Sequence, residues 1–442
     1  MTLLIYRLLL RPILSFTTWI LSSFNEKLRD ARLGRKRWRI DLESRTPRPS
    51  ELPGPHIHWH VASVGECEQA IPVMRRLDGA LPGLVQTLSY SSPSLERFIE
   101  RGADPIISRM NAISFAPPET PRECNDFMQA IAPDLLILVR YDLWPEMLQA
   151  ARRRGTTILL ICGVLHPRSN RFNPAAEWFF RRLYGMLDIA SMVSAEDAER
   201  MRRLAPSVTT RVDGDTRYDR VRERAESQRA RKEIDAIVRA AEGRPIVMAG
   251  SSWEKDEGVL RDVIVDESVL TVLAPHEPSM WAYDTMYDWL MGEIEEIDSL
   301  VLSKDYPPID TSKTIIINRL GILAECYRAA DIAFVGGGFG DGVHSLLEPA
   351  VHGAVLLSGP RIDRSPDAKA LRDAGLLLVV ESREECTGVI RRLLSDRERM
   401  KELGSRTAQF VTERSGATER LAVTIVEMMK APKARRSDID RV

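Results

Sequence analysis

The chain has 442 residues, 44% of them hydrophobic, with 62 Lys and Arg against 63 Asp and Glu. That length accommodates two hydrophobic cores and exceeds one ordinary domain, and the near-zero formal charge gives no ground for nucleic-acid binding. Cys67, Cys124, Cys162, Cys326 and Cys386 show no C-x-x-C spacing, which fits neither a disulfide framework nor a zinc site and points to a reducing compartment.

Residues 1–24 are strongly apolar but carry Arg7 and Arg11, and the uninterrupted run 12–24 falls short of the ~20 residues a spanning helix needs. Lys27, Arg29, Arg32, Arg35, Lys36, Arg37 and Arg39 follow, against Glu26 and Asp30. Such a flank attracts an anionic leaflet by about 1 kcal/mol per basic residue near the surface. Residues 1–45 are therefore expected to be a membrane anchor and basic juxtamembrane segment on the cytoplasmic side, spanning the bilayer or lying on it. A buried first helix of the folded domain is the alternative. A cleaved signal peptide is disfavoured, because no small-residue cleavage site follows the apolar run.

From residue 56 onward, short β-rich runs alternate with helix-period segments. Strands are expected at 56–61, 85–89, 135–139, 157–162 and 189–193, and in a second series at 245–249, 269–274, 314–317, 332–336, 355–358 and 377–380. This alternation predicts an α/β protein with two Rossmann-like, parallel-sheet domains facing a central cleft. The first domain covers 46–220 and the second 221–430. A charged helical stretch at 217–241 separates them, with a hinge within 215–244, and 431–442 reads as a disordered tail.

The strongest local feature is I-A-F-V-G-G-G-F-G-D-G-V-H-S-L-L-E at 332–348, a strand running into five glycines and then a helix start. Glycines let backbone N–H groups approach a phosphate, and a helix N-terminus adds favourable partial charge. The glycines also suit a plain tight turn. The segment matches neither G-x-G-x-x-G nor a Walker loop. Glu348, about one turn into that helix, is placed to accept hydrogen bonds from a ribose diol or to be an ordinary solvated glutamate. V-A-S-V-G-E at 61–66 ends the first strand; Gly65 permits a sharp turn, and Glu66 would project from a helix start into the cleft, placed either for general-base work or simply to complement the helix dipole. Ala249-Gly250-Ser251-Ser252 and Ala274-Pro275-His276 are further strand-end loops. His56, His58 and His60 share one strand face but lack a carboxylate or Cys partner nearby in sequence, so a metal is not expected. Asp213-Gly214-Asp215 reads as a turn.

In order and spacing, V-A-S-V-G-E (61–66), R-Y-D-L-W-P (140–145), G-D-T-R-Y-D (214–219), A-G-S-S-W-E (249–254), A-P-H-E (274–277), N-R-L-G-I-L (318–323) and V-G-G-G-F-G-D-G-V-H-S-L-L-E-P-A (335–350) resemble the 3-deoxy-D-manno-oct-2-ulosonic acid (Kdo) transferase family, inverting glycosyltransferases of the GT-B fold. The resemblance implies transfer of Kdo from CMP-Kdo to the primary hydroxyl of a lipid A precursor (lipid IVA) at the cytoplasmic face of the bacterial inner membrane, in lipopolysaccharide biosynthesis. Glu66 is then the catalytic base. On the donor side, Pro275, His276, Gly321 and Ile322 border cytidine; Ser251, Ser252, Gly337, Gly338 and Gly340 border phosphate or Kdo; His344 and Ser345 belong to the same loop, and Glu348 holds the ribose. Ser63, Gly65, Arg140, Asp142 and Arg168 fall on the acceptor side. The sequence departs from the common family pattern at Arg140 and Asp142, where many members have two glutamates, at Ser345 in place of Asn, and in lacking an Arg between Pro275 and His276. No cofactor is implied beyond CMP-Kdo as substrate; the partners are CMP-Kdo, the lipid A precursor and the anionic cytoplasmic leaflet. The alternative is a GT-B enzyme using another nucleotide sugar, a UDP-hexosamine transferase or epimerase.

Overall fold

The computed structural model describes residues 6–43, 47–102, 104–266, 268–277, 299–301 and 314–430. The expected tail at 431–442 and the first five residues of the apolar segment lie outside these. The chain divides into two compact units, one ending at Arg220 and resumed from Ser415, the other Val221–Arg414.

In the first unit, seven parallel strands form one sheet: β1 (His56–Val61), β2 (Val85–Tyr90), β3 (Ala112–Phe115), β4 (Leu135–Val139), β5 (Thr157–Gly163), β6 (Ile189–Met192) and β7 (Thr209–Val212). Their order is β3-β2-β1-β4-β5-β6-β7, so the winding reverses between β1 and β4. Strands β1 and β4 are buried along their whole length, as sheets covered on both faces require. β3 and β7 are absent from the expected set. β7 is a largely exposed edge whose residues, Thr-Thr-Arg-Val, supply no apolar run for a sequence reading to catch.

The second unit repeats the plan with β8 (Ile246–Ser252), β9 (Leu270–Pro275), β10 (Ser299–Val301), β11 (Thr314–Ile316), β12 (Ile332–Val335), β13 (Val355–Ser358) and β14 (Leu377–Val379). The order is β10-β11-β9-β8-β12-β13-β14, with its reversal between β8 and β12. Open α/β sheets bind ligands outside the carboxyl ends of the strands at such reversals. The two positions to inspect are therefore the ends of β1 and β4, and the ends of β8 and β12.

Three expectations are corrected. The stretch 217–241 is two helices, Thr216–Ala225 and Arg231–Ala241, separated where Ala230 takes a left-handed φ of 58°. The helix Ala417–Lys430, expected in the second domain, packs on helix Val64–Ala80 of the first, burying Leu421, Ala422 and Ile425 among Ile71, Val73 and Met74. Asp219 fixes its start by accepting hydrogen bonds from the N–H groups of Gly416 and Thr418, the former at 2.5 Å and the latter at 2.7 Å.

The third concerns the anchor. Among the described residues no helix is long and apolar enough to cross a membrane. The apolar helix Arg11–Leu21 spans 11 residues and exposes Ile13, Phe16, Trp19, Ile20 and Leu21, with Phe24 beyond it. Its leading arginines are committed to protein. Arg7 grips the buried Glu146 carboxylate through two bonds of 2.6 and 2.7 Å, and Arg11 donates to the Glu119 carbonyl. The basic helix Glu26–Glu43 also belongs to this unit's core: Trp38 and Leu42 are buried, and Gly34 lies so close to Phe115 that a methyl there would sit 2.5 Å from the ring. Arg35 stacks on Trp144, while Arg37 and Arg39 pair with Glu96, Glu123 and Asp126.

Because Ile425 is fully buried against the helix that carries Glu66, Ile425→Ala should destabilise the protein by about 2–5 kcal/mol in denaturant unfolding, leaving a cavity between two helices. An exposed position on the same helix, Val423→Ala, should change it by less than about 0.5 kcal/mol.

Candidate active site

β1 ends at Val61, and helix Val64–Ala80 starts three residues later with Ser63 as N-cap, its hydroxyl accepting from the Glu66 N–H at 3.4 Å. Glu66 returns the bond: its carboxylate accepts from the Ala62 N–H at 2.5 Å, closing a reciprocal cap across the strand-to-helix turn. Gly65 is already helical, with no left-handed φ, so it does not make the sharp turn expected of it. A methyl at Gly65 would meet nothing nearer than the Ser63 hydroxyl at 4.0 Å, so its bareness leaves the face beside Glu66 open.

Glu66 is 5% exposed. Burial holds its carboxyl above the ordinary glutamate value; the Ala62 N–H works against this, and Asp142 adds to the rise. Asp142 follows β4, on the other side of the winding reversal. Burial pushes its carboxyl up, yet the hydrogen bonds from His60 (3.2 Å) and Trp144 (2.8 Å) prevail and hold it below the usual aspartate value. His60 is itself tied to Ser89 at 2.9 Å. Two carboxylates at one pair of strand ends are thus held apart in proton affinity, one raised and one lowered, the arrangement that separates acid–base roles.

Arg140, between them in sequence, is a non-glycine residue at φ 65° whose buried Nε has no acceptor among the described residues. Strain of this kind concentrates at functional positions. Arg168 lies exposed on the turn after Leu165. The structure brings Ser63, Gly65, Glu66, Arg140 and Asp142 to the ends of the neighbouring strands β1 and β4, and Arg168 lies on the segment that follows β5, the strand beside β4. His60 and Trp144 were missed; their signal was a strand-face histidine level with a following D-x-W, legible only once β1 and β4 are known to be neighbours. His58 is satisfied by Thr87 and Ser89, each at 2.8 Å, and among the described residues no group of three or more His, Cys, Asp and Glu side chains is placed to hold a metal. The Asp213–Asp215 turn is structural, Asp215 accepting from Gln69 and Arg217.

In the second unit the glycine segment is packed against neighbouring backbone. Methyls at Gly336, Gly337 and Gly338 would fall 2.3–2.6 Å from the backbone of Ser251, Gly342 and Gly359 respectively, so these glycines permit backbone-on-backbone packing. The Gly337 N–H donates to Asp256 at 2.8 Å, and the Gly340 N–H to the Gly337 carbonyl at 2.9 Å. The Gly338 N–H has no protein acceptor among the described residues. No helix starts directly after the glycines. With φ 89° at Gly337 and 136° at Gly342 the chain stays in turns until the five-residue helix Leu347–Val351. Positive charge comes instead from Arg361 and Arg364, which donate to the carbonyls of Gly340 and Asp341.

Around this loop stand the other donor-side positions. Ser251 adopts φ 52°, and Ser252 donates to buried Glu257 at 2.8 Å. Pro275 ends β9, and the His276 N–H bonds the Ser252 carbonyl. Ser345 is exposed in the same loop as His344. Gly321 takes φ 84° before buried Ile322. Glu348 is the second residue of its helix, not one turn in, and lies 3.8 Å from Arg224, which also holds Glu325.

Residues 30–220 match the family described as 3-Deoxy-D-manno-octulosonic-acid transferase (kdotransferase). The 3-deoxy-D-manno-octulosonic acid transferase of Haemophilus influenzae is 24% identical over 379 residues, covering 83% of this chain and 85% of that protein. The Bordetella pertussis protein of the same name is 24% identical over 393 residues, covering 85% and 87%. Over residues 30–220 the chain is therefore similar to this family, and the relatives extend that similarity over most of its length. Among solved structures it is similar to UDP-GlcNAc 2-epimerase from Neisseria meningitidis (TM-score 0.59, 12% identity, 84% of this chain and all of that one) and to Acinetobacter baumannii MurG (TM-score 0.51, 13% identity, 84% and 99%). At those identities the likeness is one of fold: the chain shares the pair of parallel-sheet, Rossmann-like units of GT-B proteins.

Since burial raises the Glu66 carboxyl in the folded protein, the stability this group contributes is fully present below the ordinary carboxylate range. It is lost as pH rises through the folded value. Glu66→Gln should therefore melt higher than wild type at pH 8, with the difference vanishing toward pH 4, in paired thermal unfolding scans.

Proposed function

We propose that the chain is an inverting glycosyltransferase that moves Kdo from CMP-Kdo to the primary hydroxyl of a lipid A precursor, lipid IVA, with Glu66 as general base. The Glu66 carboxylate carries this reading: it is buried, held by a backbone N–H, raised in proton affinity, and lies within the segment that matches the family. As the acceptor oxygen forms its bond to the anomeric carbon of Kdo, the hydroxyl proton passes to Glu66. The bond from that carbon to the phosphate oxygen breaks, and CMP leaves as a phosphate monoester that needs no proton. Asp142, kept ionised by His60 and Trp144, sits where it discourages a second negative charge on Glu66 and strengthens it as a base. Arg140 is assigned to the acceptor, as are Ser63, Gly65 and Arg168. Ser251, Ser252, Pro275, His276, Gly321, Ile322, Gly337, Gly338, Gly340, His344, Ser345 and Glu348 are assigned to CMP-Kdo. The scheme uses no metal and no cofactor.

The finer assignment of place is also a proposal. The protein works at the cytoplasmic face of the inner membrane, with helix Arg11–Leu21 lying in the interface and not crossing it. Exposed Ile13, Phe16, Trp19 and Phe24 support an in-plane seat, and exposed Lys27, Arg29 and Lys36 supply attraction to anionic headgroups. A lipid-borne acceptor stays in the bilayer, so seating the acceptor unit there raises the concentration it meets.

Incubation with CMP-Kdo and a tetra-acylated disaccharide bisphosphate should add one or more Kdo masses to the acceptor, and Glu66→Ala should lower kcat by about 10²–10⁴-fold. Inhibition by UDP with none by CMP would redirect the reading to another nucleotide sugar. Replacing Phe16 and Trp19 together by serine should weaken binding to vesicles containing phosphatidylglycerol at least about tenfold in flotation assays while the thermal midpoint holds.

A further inference from the structure

Three rings from three chain segments meet at the carboxyl ends of β8, β9 and β12, neighbouring strands of the second unit. Trp253 and His276 lie with centroids 4.7 Å apart, and His276 stacks on His344 at 4.3 Å with 18° between the planes. Each ring is fixed at its root. The His276 N–H bonds the Ser252 carbonyl, the His344 N–H bonds the Gly336 carbonyl, and the Trp253 N–H bonds Asp256 at 3.0 Å. The same Asp256 oxygen holds the Gly337 N–H, so one carboxylate registers the tryptophan against the glycine loop.

The third side of the triangle is a hydrogen bond. The Trp253 indole N–H donates to His344 Nε2 at 3.3 Å. Indole nitrogen is a donor alone, so Nε2 must be the unprotonated nitrogen and the imidazole proton resides on Nδ1. An imidazolium, protonated on both nitrogens, could not accept this bond. Burial, and then the neighbouring His276, hold His344 below the usual histidine value, which agrees with a neutral ring. Trp253 is 43% exposed, an unusual position for a large aromatic side chain whose only polar atom is spent inward on another ring.

We propose that Trp253 is a positioning residue that locks His344 in its Nδ1–H tautomer, so that the ring presents a neutral hydrogen-bond donor to an anionic oxygen of the bound nucleotide-activated sugar. The proposal rests on the donor-site reading given above. A donor of fixed identity complements an oxyanion, whereas the other tautomer would turn a lone pair toward it, and the repulsion would oppose binding.

The test uses the full chain carrying ¹⁵N-labelled histidine, as wild type and Trp253→Phe, which keeps an aromatic ring and removes the indole N–H. In wild type, His344 should show protonated Nδ1 and unprotonated Nε2, and added CMP should shift the Nδ1 signal. Trp253→Phe should populate the Nε2–H tautomer and raise the KM for CMP-Kdo about 5–10-fold, with kcat within about twofold. His344→Asn, whose amide N–H stands close to the place of Nδ1, should retain at least about threefold more affinity for CMP than His344→Gln. An Nε2–H tautomer in wild type, His344 signals indifferent to Trp253→Phe, or an unchanged KM overturns the proposal while CMP binding persists. Failure of the underlying donor reading looks different: the tautomer responds to Trp253→Phe as described, but CMP leaves the His344 signals unmoved.

Discussion

The structure turns on the reciprocal cap between Ala62 and Glu66. Five residues after a fully buried strand, the Glu66 carboxylate is folded back onto the residue that follows the strand and bonded to its backbone N–H, so main chain fixes its position. A carboxylate in such a place would ordinarily be acidified by the helix start. Burial outweighs that effect here, and the neighbouring Asp142 adds to it. What raises the proton affinity of Glu66 is therefore the depth of β1 in the sheet, together with the His60 and Trp144 bonds that hold the second carboxyl below its usual value. The helix carrying Glu66 is held in turn by Ala417–Lys430, a segment 350 residues away in sequence that returns to cover its apolar face.

How much of this was legible in the sequence depends on whether the deciding contact is local. The alternation of strands and helices and the strand-to-helix turn at Glu66 are local patterns. β7 was not legible because an exposed edge strand has no hydrophobic alternation to show. The partner of helix Ala417–Lys430 was not legible either, because an amphipathic face says that something covers it and not what. Asp256 reads in sequence as an ordinary acid at a helix start. Only the meeting of β8 with β12 reveals that it holds the glycine loop.

The N-terminal segment shows the same limit in its charges. Seven basic residues after an apolar run read as a surface patch, yet position along the chain does not tell which side of a helix faces protein. Trp38 and Leu42 turn one face of Glu26–Glu43 inward, drawing Arg35, Arg37 and Arg39 onto Trp144 and nearby acids. Under the preceding segment, Glu119 is pushed up to about 7 by burial and by Glu146, whose own carboxylate is compensated by Arg7. Apolar exposure and ion pairing are divided between consecutive segments: the apolar surface belongs to Arg11–Leu21, and the residues on either side of it are fastened to the folded unit.

The donor-side loops pose an electrostatic problem that their hydrogen bonds resolve. An anionic nucleotide sugar is assigned to a neighbourhood containing two buried acids, Asp256 and Glu257, which at full charge would repel it. Burial raises both carboxyls, and one oxygen of each is turned to internal donors, Asp256 Oδ2 to the N–H groups of Gly337 and Trp253, Glu257 Oε1 to the Ser252 hydroxyl. Arg361 and Arg364 then place positive charge at the loop by bonding its carbonyls, which polarises the loop's peptides without occupying the Gly338 N–H. The glycines and the acids are thus one device. The glycines allow three backbone segments to pack within van der Waals contact, and Asp256 ties them together. Removing that carboxylate would free N–H groups for phosphate, yet it would also release the loop whose geometry makes those groups converge.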